Sequence, residues 1–322
     1  MNVLFVGLGS IGTRHLKNLT ALAQRRGLPL RADAWRHDDR PLPPDTAALL
    51  HRQYVGDAPQ QRYDAVFITN PTTLHYSAIR ALSGRTDCFF IEKPVFESPE
   101  HTLEACGLAG KKAYVAAPMR WCGVFHELRR QLAARTVYSA RILCSSYLPD
   151  WRPGVDYRTV YSARRALGGG VSIDLIHEWD YLVELFGFPQ QCCTLRGKVS
   201  DLEIDSDDLS VAVARYPGMM AELHLDYFGR TYRRSIELLC ADGQLTADFG
   251  AGTLTLENGE VISCAEPVNR RFEREMDYFL DYCAGPQTES LNSPQRALQV
   301  LRLALGEPMA GPDGLQKGED RQ

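Results

Sequence analysis

No stretch of the 322-residue sequence carries the dense lysine and arginine of a nucleic-acid footprint. No apolar run approaches the roughly 20 residues that a membrane-spanning helix needs. Neither nucleic acid nor membrane is therefore an expected partner. No C-x-x-C pair occurs among the nine cysteines, so their spacing supports no zinc or other metal site. Cys88, Cys144, Cys192, Cys193, Cys240 and Cys264 fall in strand-like runs, where a thiol serves as a small buried hydrophobe. A reduced, cytoplasmic setting is expected from that usage. Neither sign of charge dominates, since 36 basic and 40 acidic residues interleave to a net −4. The opening "MNVLFVGLGSIG" has no basic leader and reads as a strand and turn, not a signal peptide. No internal repeat is found.

What is present is ordinary globular composition, 44% hydrophobic and 24% charged, on a chain long enough for one large or two ordinary domains. In residues 1–120, apolar runs at 2–7, 30–36, 64–69, 88–92 and 113–118 alternate with helical patterns near 11–26, 73–83 and 98–110. That alternation predicts βαβ units and a doubly wound parallel sheet. Residues 121–289 change texture. A helix near 123–134 and a strong helical pattern at 171–186 are followed by closely spaced strand patterns from 190 to 264. The expectation is an α+β domain on an open antiparallel sheet, closed by helices at 269–284 and 294–305, with the 290–305 segment packing back on the first domain. The Gly- and Pro-rich segment 306–322 is expected to be disordered.

"GLGSIG" places Gly7, Gly9 and Gly12 in G-x-G-x-x-G between a strand and a helix. Glycine is needed there for the tight turn, for phosphate approach and for helix packing, with Ser10 and Ile11 at the helix start under the pyrophosphate. The second strand ends at Arg36, not at an acid, which leans toward the 2′-phosphate of NADP over the ribose hydroxyl of NAD. Later strands end in the same crevice at "NPTTLH", with Asn70, Pro71 and His75, and at "EKP", with Glu92, Lys93 and Pro94. Two charges in front of a proline at a strand end need a partner or a task.

These motifs, with "GGGVSIDLIHEWDYL" further on, resemble the glucose–fructose oxidoreductase / inositol dehydrogenase (Gfo/Idh/MocA) family of NAD(P)-dependent oxidoreductases. The resemblance spans nearly the whole chain. It implies a Rossmann domain followed by an open-sheet domain, and a dimer or tetramer. It also implies that Lys93 works at the substrate hydroxyl beside the nicotinamide, and that Asn70, Pro71 and His75 line the nucleotide. Glu92, from the same motif, joins the expected cofactor-binding residues.

On a continuous helix from 171 to 186, Leu175, Trp179, Leu182 and Phe186 form an apolar stripe, and Asp174, His177 and Tyr181 share an arc of about 60°. A carboxylate and an imidazole so placed suit an orienting acid beside a proton-transferring base. The family pattern sets its histidine four residues after the aspartate; here His177 follows Asp174 by three, and Glu178 takes the fourth place as a possible substitute. Arg120 and Trp121 in "PMRW", and Tyr147, Trp151, Arg152, Tyr157 and Arg158 in the segment before the triple glycine, are candidate substrate contacts, because aromatics stack on sugar rings and arginines bind acidic groups.

The expected activity is hydride transfer between NADP or NAD and a secondary alcohol or ketone of a sugar, cyclitol, or nucleotide- or amino-sugar derivative, with Lys93, His177 and Asp174 at the reacting carbon. The alternatives are a non-catalytic NADP-binding regulatory protein and an enzyme that uses transient NAD redox for glycoside cleavage.

Overall fold

A computed structural model describes residues 1–307; from residue 308 on, the tail expected to be disordered lies outside the described residues. The first half of the chain forms β1 (Asn2–Val6), α1 (Ser10–Arg25), β2 (Arg31–Arg36), α2 (Pro44–Ala47), β3 (Arg52–Val55), β4 (Ala65–Ile68), α3 (His75–Leu82), β5 (Cys88–Ile91) and β6 (Lys112–Val115). Its strands make one six-stranded parallel sheet in the order β3-β2-β1-β4-β5-β6. Strand order reverses between β1 and β4, which opens a crevice at their carboxyl ends, the place where doubly wound sheets take ligands. Both faces are buried. Val3, Phe5 and Phe67 lie with Leu16 and Leu19 of α1, and Leu4, Val66 and Phe89 with Ile79 and Leu82 of α3. This is why these strands read as near-continuous apolar runs.

In this half one expected helix is absent and one strand was not expected. Residues 98–110 form turns, not a helix, because Pro99 stands at the start and Gly107 and Gly110 take positive φ near the end. β3 carried no readable signal, being a short edge strand, "RQYV", with mostly exposed residues.

The second half contributes α4 (Gly123–Leu132), β7 (Val137–Tyr147), α5 (Val171–Asp174), α6 (His177–Phe186), β8 (Gln191–Gly197), β9 (Leu209–Tyr216), β10 (Met219–Asp226), β11 (Phe228–Cys240), β12 (Gly243–Asp248), β13 (Thr253–Thr255), β14 (Val261–Ser263), α7 (Asn269–Ala284) and α8 (Pro294–Leu305). Its eight-stranded sheet runs β14-β13-β12-β11-β7-β10-β9-β8 and is antiparallel except where β7 pairs with β10. One face packs Ile142, Leu223, Ile236 and Leu238 against Phe125 of α4, Trp179 and Leu182 of α6, and Leu301 of α8. The other face is bare, and β9 and β10 alternate buried and exposed residues accordingly.

The chain crosses between the halves more than once. α7 follows the second sheet in sequence, yet its Met276, Phe279 and Leu280 lie in the core of the first with Phe5, Phe67 and Phe90. α8 straddles both, with Val300, Leu301 and Leu303 in the second core and Ala297 in the first. The helix expected to run unbroken from 171 to 186 stops at Asp174 and restarts at His177, with Leu175 at φ −97° and ψ 30°.

Candidate active site

The turn after β1 shows what each glycine does. Gly7 has φ +84°, and a Cβ there would lie 2.8 Å from the Asn70 Cα. A Cβ on Gly12 would lie 2.5 Å from the Gly7 carbonyl oxygen and 2.6 Å from Thr69 Oγ1. Both positions are thus demanded by the fold itself. Gly9 is not: a Cβ there would meet nothing within 4 Å. Its bareness leaves room for a ligand, directly over an α1 start that has no side-chain cap and no acidic residue in its first turn. Ser10 and Ile11 open that helix, and the Asn70 Oδ1 beside the turn is buried without a partner. The pyrophosphate of a dinucleotide fits this cradle by charge and by shape.

At the second strand tip, Arg36 donates to Gln53 Oε1 (3.0 Å) and to the Arg40 carbonyl, with Asp38 3.7 Å away. Asp33, the acid within that strand, is buried and accepts hydrogen bonds from Gln61 (2.7 Å) and Tyr63 (3.0 Å).

Glu92 and Lys93, adjacent in sequence, point to different partners. Glu92 turns inward, and its Oε1 lies 2.6 Å from Nε2 of the fully buried His15 on α1. Burial pushes the Glu92 carboxyl up, but the His15 contact and the Lys93 charge outweigh it and hold the group below its ordinary range. Lys93 extends across the crevice, and its Nζ donates to the main-chain oxygen of Asp174 at 2.8 Å. His75, expected to line the nucleotide, is buried as a brace between the Asn70 carbonyl (3.0 Å, to Nε2) and the Pro94 and Val95 carbonyls (3.1 and 3.2 Å, to Nδ1). Pro71 is exposed beside Asn70.

Asp174 accepts the Tyr161 hydroxyl on Oδ1 (2.7 Å) and the Tyr227 hydroxyl on Oδ2 (2.5 Å). It makes no hydrogen bond to His177. The break after Asp174 removes the common helical arc expected for Asp174, His177 and Tyr181, and Tyr181 is wholly buried, stacked on Phe249. His177 itself forms no hydrogen bond among the described residues and is only partly covered. Desolvation first, then the positive charges of Lys93, Arg234 and Arg271, hold its imidazole well below the ordinary value. It is therefore neutral at physiological pH and free to accept a proton.

Other expected contacts are committed elsewhere. Glu178 is fully buried, facing the sheet, and both its oxygens accept from Arg234 of β11 (2.6 and 3.0 Å). Arg120 is buried in a knot with Asp180 (2.7 and 2.8 Å), Glu184 (2.6 Å) and the Leu291 and Asn292 oxygens. Trp121 donates to Tyr114 Oη at 3.0 Å. Arg158 is held by Asp156 and Glu203, and the Tyr157 hydroxyl accepts the Glu203 N–H. Trp151 stands edge-on to Tyr227 at 5.2 Å, while Tyr147 is half-buried and Arg152 exposed. The triple glycine is a packing device, since a Cβ on Gly169 would strike the Tyr161 carbonyl oxygen at 2.1 Å and one on Gly170 would strike Asp207 at 2.3 Å.

Sequence reasoning missed His15, Tyr161, Tyr227 and the buried Glu275. His15 lies one turn into α1, a position where an imidazole is most simply a core residue. Glu275 accepts the Ala117 N–H (2.6 Å) and the Tyr114 hydroxyl (2.8 Å), and burial and the Glu92 charge push its carboxyl up to about 8. Among the described residues no cluster of three or more His, Cys, Asp or Glu is arranged to hold a metal ion, and no helix is long and apolar enough to cross a membrane.

Known proteins resemble this chain along most of its length. An uncharacterized oxidoreductase, YrbE of Bacillus subtilis (strain 168), is 23% identical over 334 aligned positions, covering 97% of this chain and 90% of that protein. Solved structures share the fold at lower identity. They include UDP-N-acetylglucosamine 3-dehydrogenase GnnA from Acidithiobacillus ferrooxidans (19% identical, TM-score 0.73, 95% of each chain). Myo-inositol 2-dehydrogenase from Lactobacillus plantarum is similar (18%, TM-score 0.75, 95% of each chain). So is a levoglucosan dehydrogenase in complex with NADH and levoglucosan (16%, TM-score 0.76, 95% of each chain). Residues 1–118 match the family described as "Oxidoreductase family, NAD-binding Rossmann fold". Over this domain the chain is similar to the Gfo/Idh/MocA family of oxidoreductases.

Proposed function

We propose that this chain is an NAD(P)-dependent dehydrogenase or reductase acting on a secondary alcohol or ketone of a sugar, cyclitol or sugar derivative. The observation that carries the reading is a meeting of elements: Lys93 at the end of β5 reaches Asp174, at the helix break that also presents His177, beside the open glycine turn. The dehydrogenases named above, which share the fold, support it. A bound nicotinamide supplies hydride acceptance or donation. Lys93 donates to the substrate oxygen and steadies its developing negative charge. His177, kept neutral, takes the hydroxyl proton in oxidation and returns it in reduction. Asp174 acts on the lysine, through its carbonyl, while its carboxylate anchors Tyr161 and Tyr227.

NADP is the preferred cofactor in this reading, because Arg36 ends β2 and the nearby acid Asp33 is spent on Gln61 and Tyr63. Arg36→Ala should weaken NADPH binding by about 1–3 kcal/mol and NADH binding little; equal losses for both would remove the preference. The exposed Leu195, Val211, Val213 and Met220 on the second sheet support self-association as a dimer or tetramer, and the unpaired thiols suit a reducing cytoplasm. The deciding experiment is turnover of NAD(P)+ or NAD(P)H by the purified protein against a panel of sugars, cyclitols and their keto forms. Stoichiometric change in reduced nicotinamide is expected; cofactor binding without turnover of any of them would leave a non-catalytic binder.

A further inference from the structure

Most arginines of the second domain meet carboxylates. Arg141 bridges Glu222 and Glu237, Arg135 bridges Asp242 and Glu257, and Arg158 bridges Asp156 and Glu203. Arg152 and Arg230 differ. Neither forms a salt bridge among the described residues, and each is laid on an aromatic ring instead. The Arg152 Cζ lies 5.8 Å from the Tyr161 ring centroid, and the Arg230 Cζ lies 3.8 Å from that of Tyr147. An aromatic face orients a guanidinium without neutralising it or consuming its N–H donors.

Both rings belong to the wall of the candidate site. The Tyr161 hydroxyl holds Asp174 Oδ1. Tyr147 is paired in register with Phe228, the neighbour of Tyr227, whose hydroxyl holds Asp174 Oδ2. Each arginine is thus laid on a ring that belongs to, or is paired beside, the tyrosines holding Asp174, the residue that receives Lys93. Lys93 and Arg271 also lack a salt bridge among the described residues, and their charges are felt at His177. Lys93 lies within reach of the Glu92 charge, and the Asp174 carboxylate is occupied by two phenols. Arg152 and Arg230 thus hold positive charge that no salt bridge compensates among the described residues. A neutral sugar would leave it uncompensated; an anionic one would not.

We propose that Arg152 and Arg230 form an anion clamp, and that the substrate carries an anionic oxygen group, a carboxylate or a phosphate ester, beyond its reacting alcohol. The inference deepens the dehydrogenase reading and rests on it for the reacting alcohol, but the clamp is measurable without turnover.

The test is calorimetric titration of protein saturated with NADP+, so that anions do not compete for the cofactor's own phosphate cradle. The probes are glucose, glucuronate, glucose 1-phosphate and UDP-glucose. At least one acidic probe should bind about tenfold or more tighter than glucose, the scale of a charge-assisted pair, and its affinity should fall as salt is raised. Whether glucuronate or the phosphate esters gain identifies the anion. Arg152→Gln and Arg230→Gln, both on exposed side chains, should each remove most of that gain and leave NADP+ affinity unchanged. Equal binding of glucose and all acidic probes, or acidic binding indifferent to both substitutions, overturns the clamp. The two readings separate cleanly. Turnover of a sugar, with acidic binding no tighter than that of glucose or untouched by both substitutions, sinks the clamp and keeps the dehydrogenase. Arginine-dependent anion binding without turnover of any sugar keeps the clamp and sinks the dehydrogenase.

Discussion

Two sets of charged side chains meet at the broken helix, one behind it and one in front, and they differ in how much bonding capacity is already spent. Behind, Arg120 distributes its donors over Asp180, Glu184, Leu291 and Asn292, and Glu178 gives both oxygens to Arg234. In front, Lys93 makes one hydrogen bond to a main-chain oxygen, and His177 makes none. All carry charge or can acquire it, and all attract attention in the sequence. What separates scaffold from site is the unspent valence. A saturated ion pair has no donor or acceptor left to offer; an unsaturated cation or imidazole does.

The comparison can be broken from either side. The largest effect is expected behind the helix. Glu178→Gln leaves the Arg234 guanidinium buried without its counter-charge and should cost about 3–5 kcal/mol of stability in denaturant titration. The folded fraction should keep its cofactor affinity. In front, Lys93→Met should leave the melting temperature nearly unchanged and lower single-turnover nicotinamide reduction by about 3 kcal/mol of transition-state stabilisation, the scale of one donor to a developing oxyanion. If Lys93→Met instead unfolds the protein and Glu178→Gln only slows it, the assignment of frame and site is reversed.

His177→Asn should lower turnover by about a hundredfold, and the pH profile sharpens the point. The folded imidazole titrates below its ordinary 6.5, so its proton-accepting form persists as pH falls through 6.5. The oxidation rate should therefore hold there and drop only at more acidic pH. Because the Lys93 charge is one cause of the depression, residual activity in Lys93→Met should show its acid limb moved upward. The smallest effect belongs to Glu275, part of neither set. Its raised pKa means that the folded state binds the extra proton between the ordinary 4.5 and about 8, so stability should fall as pH rises across that window. Glu275→Gln should flatten that slope and raise stability above pH 8 by about 1–3 kcal/mol, read as melting temperature against pH.

The sequence announced the parts whose signal is local. Periodicity located the strands of both sheets except β3, and the glycine spacing marked the nucleotide turn, because turn geometry is written in a few adjacent residues. Lys93 was legible as a charge at a strand end and His177 as a polar residue on a helix face. What stayed hidden depends on contacts between distant segments. Nothing near Glu92 names His15 as its partner, 77 residues away. Nothing near Asp174 names Tyr227, and nothing near Glu178 shows that it turns toward Arg234 on β11. The α7 packing on the first sheet was equally invisible, since its apolar stripe says only that some core receives it.

The break between α5 and α6 has a consequence that no alignment of side chains would register. In an uninterrupted helix the Asp174 carbonyl would accept the N–H of Glu178, four residues on. Here the Glu178 N–H turns to the Leu175 oxygen instead, at 3.4 Å, and the Asp174 oxygen is released to Lys93. The lysine's tether is a vacancy in a helical ladder: an acceptor created by subtraction.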